Sequence, residues 1–402
     1  MKNLLYLTHR IPYPPNKGDK IRSFHLLQHL SKHHHVYLGT FVDSEEDWHY
    51  IDEVKKYCRD VCVVGLNPLT AKAKSLIALL SSTPLTLAYY YNTQLMQWVK
   101  TLHKTRSIQN VVVFSSSMAQ YVEYWTDCRR IIDFVDVDSD KWYQYAQSKS
   151  WPFSWIYRRE AKYLLGYEKK IAHIFDHSTF VSKKEAELFQ QLALDLTDKI
   201  TFFNNGVDTD FFSPARDYAN PYPDGKKILV FTGAMDYWAN VDAVNWFAHE
   251  IFPAIRAKQP DVCLYIVGAK PAKQVQMLAS LPGIHVTGAV DDIRPYLAHA
   301  TIAIAPLRIA RGIQNKVLEA MAMQKPVIAS TQAMEGIRAI SSEELLVAEN
   351  AEAFIQYIFT LLDTNSRCLM VGQAARKRVL QDYTWPANLS RIDALLCPSL
   401  HS

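Results

Sequence analysis

Short apolar runs alternate with longer amphipathic stretches along the whole chain. The short runs are rich in Ile, Val and Leu, a composition typical of strands buried on both faces of a parallel sheet. The longer stretches repeat apolar residues at helical spacing, as in Ile21–Ser31, where Phe24, Leu27 and Leu30 share one face. This alternation predicts an α/β fold built on mainly parallel sheets.

The predicted strands form two series separated by a turn-rich boundary. The boundary runs from Asn204 to Gly225 and contains several Asn, Pro and Gly residues. We therefore predict two domains, residues 1–205 and 206–375, with a cleft between them and a helical tail over residues 376–402. The first series comprises Leu4–Thr8, Val36–Phe41, Cys62–Leu66, Val111–Phe114, Ile131–Val135, Ser178–Val181 and Ile200–Phe203. The second comprises Ile228–Thr232, Cys263–Val267, His285–Thr287, Ile302–Pro306 and Val327–Ser330.

The segment Thr301–Ala322 reads as a buried strand, a glycine-containing loop and a helix. Asn315 is predicted to cap a helix that starts at Lys316. The loop would direct backbone N–H groups at one point in front of the helix, together with Arg308, Arg311 and Lys316. Such a point suits a phosphate or a diphosphate.

Glu319 lies one helical turn after Lys316 and on the same face of the predicted helix. Its carboxylate could accept hydrogen bonds from both hydroxyls of a ribose. Alternatively, Glu319 only complements the helix dipole and pairs with Lys316. The spacing alone is compatible with both interpretations.

Ligands of parallel sheets gather at the carboxyl ends of the strands. In the second half this rule selects the loops 232–240 and 288–292 besides the loop before Lys316. In the first half it selects Thr8–Arg22, where Gly18 precedes a helix and permits close approach of a ligand. His9 and Asp19 of this loop are candidate site residues, or ordinary caps.

Composition narrows the class of protein. The chain has 402 residues, 49% hydrophobic and 21% charged, which is typical of folded globular domains. A net charge of +4 is too small to argue for nucleic acid binding. The six cysteines show no CxxC spacing, so neither a disulfide framework nor a zinc site is indicated, and a reducing cytoplasm fits. The apolar runs are too short or too interrupted for a signal peptide or a membrane span.

Basic residues are concentrated in one predicted helix. Arg158, Arg159 and Lys162 follow Trp151 and Trp155, and two further lysines come at 169 and 170. Such a helix could rest on an anionic membrane surface. The alternative is a solvated helix face without a partner.

Several motifs resemble those of retaining nucleotide-sugar glycosyltransferases of the GT-B type, glycosyltransferase family 4. The matching segments are 205–208 with Pro214, 231–234, 264–268, 286–290, 316–322 and 325–329. Segments 233–238 and 308–316 are most similar to a bacterial subgroup of sugar transferases found with exopolysaccharide and exosortase systems. The fold that this resemblance implies is GT-B: two Rossmann-like domains facing a central cleft, with a C-terminal helix that crosses back to the first domain.

The resemblance also implies roles for individual residues. Glu319 would hold the donor ribose, Val290 would line the base pocket, and Gly233 would let the diphosphate approach. The other residues assigned to donor binding are Gly268, Arg308, Gly312, Ile313, Gln314 and Asn315. The residues assigned to the acceptor side are His9, Gly18, Asp19 and Asp133.

One position departs from the family pattern. The family commonly has two glutamates seven residues apart; Glu319 matches the second, and Arg311 stands in place of the first. The identity of the sugar and the details of catalysis are therefore open. We expect Arg311, Lys316 and Arg308 to neutralise the diphosphate, with Arg311, Lys316 and Glu319 as the catalytic set.

No cofactor or metal is expected, because GT-B enzymes stabilise the leaving diphosphate with a helix terminus and cationic side chains. The Asp136-Val-Asp138 sequence is read as an acceptor-side loop, with a cation site as the alternative. The expected activity is transfer of a sugar, with retention, from a nucleotide-diphosphate donor to a glycan or lipid-linked acceptor in exopolysaccharide or cell-surface polysaccharide synthesis. The alternatives are a GT-B nucleotide-sugar epimerase and a catalytically silent sugar-nucleotide binding protein. The expected location is the cytoplasm, with peripheral contact at the inner membrane face.

Overall fold

A computed structural model describes residues 1–310 and 312–396. Its first sheet has seven parallel strands in the order β3-β2-β1-β4-β5-β6-β7. Every strand predicted for this half is confirmed, because each apolar run is buried between helices. The strands are β1 (Lys2–Thr8), β2 (His34–Val42), β3 (Asp60–Gly65), β4 (Ile108–Phe114), β5 (Arg129–Val135), β6 (His177–Phe180) and β7 (Ile200–Phe202).

Helices connect these strands and cover the sheet. They are α1 (Gly18–His33), α2 (Ile51–Lys55), α3 (Pro68–Ile77), α4 (Leu85–Tyr89), α5 (Thr93–Thr105), α6 (Asp138–Ser148), α7 (Phe153–Ile174) and α8 (Lys183–Leu192). Short 3-10 segments occupy Glu45–Tyr50, Ala78–Leu80, Ser116–Tyr121 and Leu194–Lys199.

The second sheet has six parallel strands in the order β10-β9-β8-β11-β12-β13. Its strands are β8 (Lys227–Thr232), β9 (Val262–Val267), β10 (Ile284–Gly288), β11 (Ile302–Ala305), β12 (Val327–Ser330) and β13 (Leu346–Ala348). Its helices are α9 (Trp238–Trp246), α10 (Phe252–Lys258), α11 (Lys273–Leu278), α12 (Arg294–His299), α13 (Asn315–Ala322), α14 (Ala351–Asp363) and α15 (Asn365–Asp382), with a π-helical segment at Phe247–Ile251. Strand β13 was not predicted, because its three residues are too short a run to show a pattern.

The chain divides into two compact units, residues 1–204 with 389–396, and residues 205–388. The predicted tail from residue 376 is therefore split. Helix α15 belongs to the second unit, where Arg376 Nη1 donates to the Phe212 carbonyl at 3.1 Å and Val379 and Tyr383 are buried. Only the part from Leu389 onward joins the first unit.

That part is the end of the last helix, α16 (Trp385–Leu396). Leu389 and Ile392 are buried. The Asp393 carboxylate lies 2.9 Å from His29 Nε2, and Arg391 Nη1 donates to the Phe202 carbonyl at 2.9 Å. Apolar burial and polar contacts thus fix the helix end to the first unit. No helix in the described part of the chain is long and apolar enough to cross a membrane.

Candidate functional site

Glycines form the carboxyl edge of the second sheet, where three neighbouring strands end. Gly233 N donates to the Val267 carbonyl at 3.1 Å, and Gly268 N donates to the Gly288 carbonyl at 3.2 Å. Gly268 has a φ of +156°, and a Cβ there would lie 1.7 Å from the Gly233 oxygen. Only glycine can occupy position 268 without moving the backbone. We call this edge, with Gly233, Gly268 and Gly288, the glycine edge. Its main-chain atoms are not covered by side chains of their own residues, so a ligand can lie close to them.

Lys316, in the first turn of α13, points its ammonium at this edge. Its Nζ donates to Asn240 Oδ1 at 2.5 Å and lies 4.3 Å from the centre of the Phe231 ring. A Cβ added to Gly233 would lie 3.0 Å from the same Nζ. Burial lowers the pKa of Lys316 to about 7, opposed by the nearby Glu319 carboxylate. An anion bound at the glycine edge would find a desolvated ammonium beside it.

Glu319 follows one turn later on α13. Burial raises the pKa of Glu319 to about 7, and the Lys316 ammonium opposes the rise. Within the described residues, the Lys316 ammonium bonds to Asn240 and not to Glu319, so the direct pair of the alternative interpretation is not formed. The carboxyl group is consequently available to a ligand's hydroxyl groups.

The loop before α13 differs in two ways from its prediction. The helix begins at Asn315, and its N-cap is Gln314, whose side chain makes no capping bond. Asn315 is therefore not the cap, and its buried Oδ1 has no hydrogen-bond partner among the described residues. Gln314 Nε2 donates to the Gly312 carbonyl at 3.1 Å instead. Arg311 lies outside the described residues.

Arg308 is held away from the role expected of it. Its Nε donates to Asp242 Oδ2 at 2.9 Å, and its Nη2 also contacts the same carboxylate. The guanidinium lies 5.8 Å from the centre of the Trp246 ring. Asp242 on α9 already compensates the charge of Arg308. Arg308 can therefore bind a diphosphate only if it releases Asp242.

Asn240 is a site residue that sequence reasoning did not single out. It is buried at the start of α9, where its Nδ2 donates to the Ala234 carbonyl at 2.8 Å and its Oδ1 accepts from Lys316. Asn240 thus joins the loop after β8 to α13. One feature of the sequence could have identified Asn240 as a site residue. It is the last residue of the loop 232–240, which was selected because it follows the carboxyl end of a strand. Val290 and Ile313 are partly buried against the core of this unit.

The first unit contains a cavity of about 540 Å³ at the carboxyl end of its own sheet. Helices α3, α4 and α6 supply the walls opposite the strand ends. Its lining mixes aromatic rings with charged groups. The lining residues are His9, Asp19, Lys72, Ser75, Leu85, Thr86, Tyr89, Tyr90, Phe114, Ser115, Phe134, Val135, Asp136, Asp138, Lys141 and Trp142.

Two lining residues have strained backbones. Ser115 has a φ of +78° and Val135 a φ of +69°, and each follows or ends a strand of the first sheet. A left-handed conformation costs roughly 1–3 kcal/mol at a residue other than glycine, and it is least expected at a β-branched valine. Such strain is concentrated at functional sites, which supports this cavity as a binding site.

His9 and Asp19, both predicted on the acceptor side, meet in this cavity. His9 Nε2 lies 3.5 Å from Asp19 Oδ2, and the imidazole stacks on the Phe114 ring. Burial alone would raise the pKa of Asp19, but His9 and Arg10 hold it well below its usual range. His9 Nδ1 is buried without a partner among the described residues. The pair therefore places an ionised carboxylate and an imidazole in the lining of the cavity.

Asp133 is closed off from a ligand, and Gly18 is not among the residues that line the cavity. Asp133 is fully buried, and its carboxylate accepts from Arg22 Nε at 2.7 Å. The Arg22 guanidinium also lies 3.6 Å from the centre of the Phe203 ring. Asp133 is thus half of an internal ion pair, and its role is structural. Gly18 is exposed at the start of α1, and no atom lies within 4 Å of a Cβ built there.

Asp136 and Asp138, read from the sequence as part of an acceptor-side loop, both line the cavity. Lys141 Nζ lies 2.7 Å from Asp136 Oδ2 and 3.3 Å from Asp138 Oδ1. An internal ammonium therefore takes the position between the two carboxylates. Across residues 1–310 and 312–396, no group of three His, Cys, Asp or Glu side chains is arranged to hold a metal ion.

Comparison with solved structures defines the class of fold. A glycosyltransferase from Rickettsia africae ESF-5 superimposes with a TM-score of 0.66 at 16% identity, covering 99% of each chain. Anabaena Alr3699/HepE, solved with UDP and glucose, gives a TM-score of 0.66 at 13% identity, covering 98% of this chain and 99% of that one. WaaG, a glycosyltransferase involved in lipopolysaccharide biosynthesis, gives 0.64 at 14% identity, with 98% and 100% coverage. The chain is a two-domain α/β protein of the GT-B fold.

The match to a sequence family covers only part of the chain. Residues 226–364, which include the glycine edge, Lys316 and Glu319, match the family model described as "Glycosyl transferases group 1". No curated protein sequence matches the chain.

Proposed function

We propose that this protein is a glycosyltransferase that moves a sugar from a nucleotide-diphosphate donor to a glycan or lipid-linked acceptor. The observation that carries the proposal is the Lys316 ammonium at the glycine edge, one helical turn before Glu319, in the region that matches group 1 glycosyl transferases. The complexes of Anabaena HepE with UDP and with UDP-glucose support a nucleotide sugar as the donor.

The donor diphosphate would lie against Gly233 and Gly268, with the Lys316 ammonium beside it. As the bond to the sugar breaks, negative charge grows on the leaving diphosphate, and a preorganised cation stabilises that charge. Loss of one such group typically slows a reaction about a hundredfold, or roughly 3 kcal/mol. Glu319 would accept hydrogen bonds from the ribose hydroxyls.

The cavity of the first unit is the proposed acceptor site, with His9 and Asp19 at its floor. Retention of configuration, membership of glycosyltransferase family 4 and a role in exopolysaccharide synthesis belong to the same proposal and rest on the motif resemblance. The part that WaaG takes in lipopolysaccharide biosynthesis supports a cell-surface glycan as the product. The protein is proposed to act in the cytoplasm, in contact with the inner face of the membrane, without a bound metal or cofactor.

Donor binding is the first test. We expect one member of a panel of UDP-, GDP- and ADP-linked sugars to raise the melting temperature, since a ligand at a hundred times its Kd stabilises the folded state by about 2.7 kcal/mol. Lys316→Met should weaken that binding about 10- to 100-fold, because a charge-assisted contact is lost. Glu319→Gln should weaken it about tenfold.

Lys325→Met is the matched control. Lys325 is also a partly buried lysine of lowered pKa, caused by burial, but its ammonium contacts the Ala298 carbonyl. Unchanged donor affinity in both site variants would refute the proposal. Conversion of the donor without an acceptor would identify an epimerase, and binding without turnover across a broad acceptor panel would identify a silent binding protein.

A further inference from the structure

Helix α3 and the 3-10 turn after it turn an apolar stripe towards solvent. The stripe follows the spacing i, i+4, i+7, i+8 and i+11, which places all its members on one side of a helix. Its large members are among the most exposed hydrophobic side chains of the described residues. They are Leu69 at 77% exposure, Leu76 at 55%, Ile77 at 70% and Leu80 at 92%, with the exposed Ala73 between them.

The opposite side of α3 packs on the protein through small residues. Ala71, Ser75 and Ala78 are buried there. A surface helix of a globular protein normally buries its large apolar residues and exposes its small or polar ones. In α3 the arrangement is inverted, so its large apolar side chains are exposed and available to contact a membrane or another molecule.

A second apolar group lies beside this stripe. Trp151, Phe153 and Trp155, at and before the first turn of α7, are 79%, 56% and 54% exposed. Further along α7, Arg159 donates to the Ala78 carbonyl at 2.7 Å. The contact joins the end of the α3 stripe to α7, one to two turns after its exposed rings. We call the stripe and these three aromatic residues the apolar face.

The surroundings of the apolar face are strongly basic. Segments 66–91 and 149–163 together contain six lysines and arginines and one carboxylate, a net charge of +5. The carboxylate, Glu160, is buried and accepts from Leu85 N at 2.6 Å and Thr86 N at 2.9 Å. The whole chain carries only +4. The positive charge is therefore concentrated around the apolar face, and the rest of the chain is slightly negative.

We propose that the apolar face inserts into the surface of an anionic lipid bilayer. Leucine, isoleucine and tryptophan side chains on one face, ringed by lysine and arginine, are the combination that holds an amphipathic helix at the boundary between headgroups and acyl chains. Each lysine or arginine near an anionic leaflet adds to the attraction. The sequence pointed to the basic helix around Arg158 and to the apolar segment 75–91, and the structure adds the exposed stripe of α3.

The proposal rests on the membrane contact in the proposed function and assigns it to particular residues; it does not depend on sugar transfer, but it has a consequence for the acceptor site. Lys72 and Ser75 of α3 also line the cavity of the first unit. A cavity walled by the inserted helix opens beside the bilayer, where the head group of a lipid-linked acceptor would lie.

The test is co-sedimentation of the full chain with vesicles of phosphatidylcholine, with and without phosphatidylglycerol. We expect binding to the anionic vesicles, weakened by salt. Leu76→Ser with Ile77→Ser should weaken it at least about tenfold, because the buried apolar area is lost. Lys74→Gln with Lys162→Gln should weaken binding to anionic vesicles only. The matched control is Leu369→Ser with Met370→Ser, an exposed apolar pair on α15 at 61% and 68% exposure, which should bind as the unchanged protein does.

Equal vesicle binding by the Leu76/Ile77 variant and the control would overturn the proposal. If the Leu76/Ile77 variant has a smaller assembly mass in solution than the unchanged protein but binds vesicles equally well, the proposal is also overturned. That result would identify the apolar face as an interface between copies of the chain. The nucleotide-sugar melting shift, measured on the same variants, keeps the two proposals separate. Donor binding without vesicle binding contradicts the bilayer proposal and the proposed membrane contact, but not sugar transfer; vesicle binding without donor binding contradicts only sugar transfer.

Discussion

A buried carboxyl group joins α6 to α7 near Asp138, one of the residues that line the cavity. Glu168 Oε2 accepts from Ser139 Oγ at 2.5 Å, and its Oε1 accepts from Ser139 N at 3.3 Å. Burial raises the pKa of Glu168 to about 8, with the neighbouring Asp138 carboxylate adding to the rise and the bonds from Ser139 opposing it. Glu168 therefore remains protonated in the folded protein at neutral pH.

This residue makes stability dependent on pH. Its pKa is higher in the folded state than in the unfolded chain, so its contribution is complete below pH 4.5 and is lost as pH rises through about 8. Glu168→Gln imitates the protonated form at every pH. We expect this variant to gain about 2 kcal/mol or more in unfolding free energy, relative to the unchanged protein, between pH 5 and pH 8. Urea unfolding at three pH values measures it, and parallel curves for the two proteins would contradict the assignment.

Burial also separates acidic residues that look alike in the sequence. Asp133 was predicted on the acceptor side, yet it is paired inside the protein with Arg22. Asp19, predicted on the same side, lies in the first turn of α1 and lines the cavity. The sequence identified both as candidates, but only the packing of α1 on the sheet decided which one a ligand can reach.

At the scale of elements, the second unit depends on strand ends that approach each other closely. Gly268→Ala would place a Cβ 1.7 Å from the Gly233 oxygen, a contact that no side-chain rotation can relieve. We expect a loss of more than about 3 kcal/mol in unfolding free energy, together with loss of nucleotide-sugar binding.

Gly288→Ala is the comparison variant at the end of the adjacent strand. Gly288 also has a positive φ, +70°, but no atom lies within 4 Å of a Cβ built there. The Gly288→Ala variant should lose about 1 kcal/mol of unfolding free energy, because only backbone strain is added. Similar losses in the two variants, measured by chemical unfolding, would show that contact with Gly233 is not the cause.

The elements themselves were largely predictable. All twelve predicted strands are present, because apolar runs between turn signals leave little choice when both sheet faces are buried. Helix α13 was placed correctly to within one residue, yet its cap was assigned wrongly. A helix start depends on the backbone conformation of the preceding loop, which the order of residues does not settle.

At the scale of the molecule, α16 completes the first unit from the far end of the sequence. Deleting residues 389–402 removes Leu389, Ile392 and Leu396, all buried. At about 1.5–3 kcal/mol for each buried side chain, the first unit should lose about 5 kcal/mol or more, which is comparable to the stability of a typical domain. In calorimetry, the unfolding transition of the first unit should move to a lower temperature.

The transition that nucleotide sugar shifts should stay in place, because the donor residues lie in the other unit. Arg391→Ala, an exposed change on the same helix, should cost less than about 1 kcal/mol. A truncated protein with unaltered melting and activity would contradict the role of α16.

The sequence by itself determined the alternation of strands and helices, the two-part organisation and the stretch around Lys316 and Glu319, because these follow from local patterns of burial and turn chemistry. Only the tertiary structure decided that Lys316 bonds to Asn240, that Arg308 pairs with Asp242 and that α3 exposes its apolar side. The physical reason is that each of these depends on which side chains meet across elements far apart in the chain. A periodic pattern specifies that a helix has an apolar face, whereas the packing of its neighbours determines whether that face is buried or left for a partner.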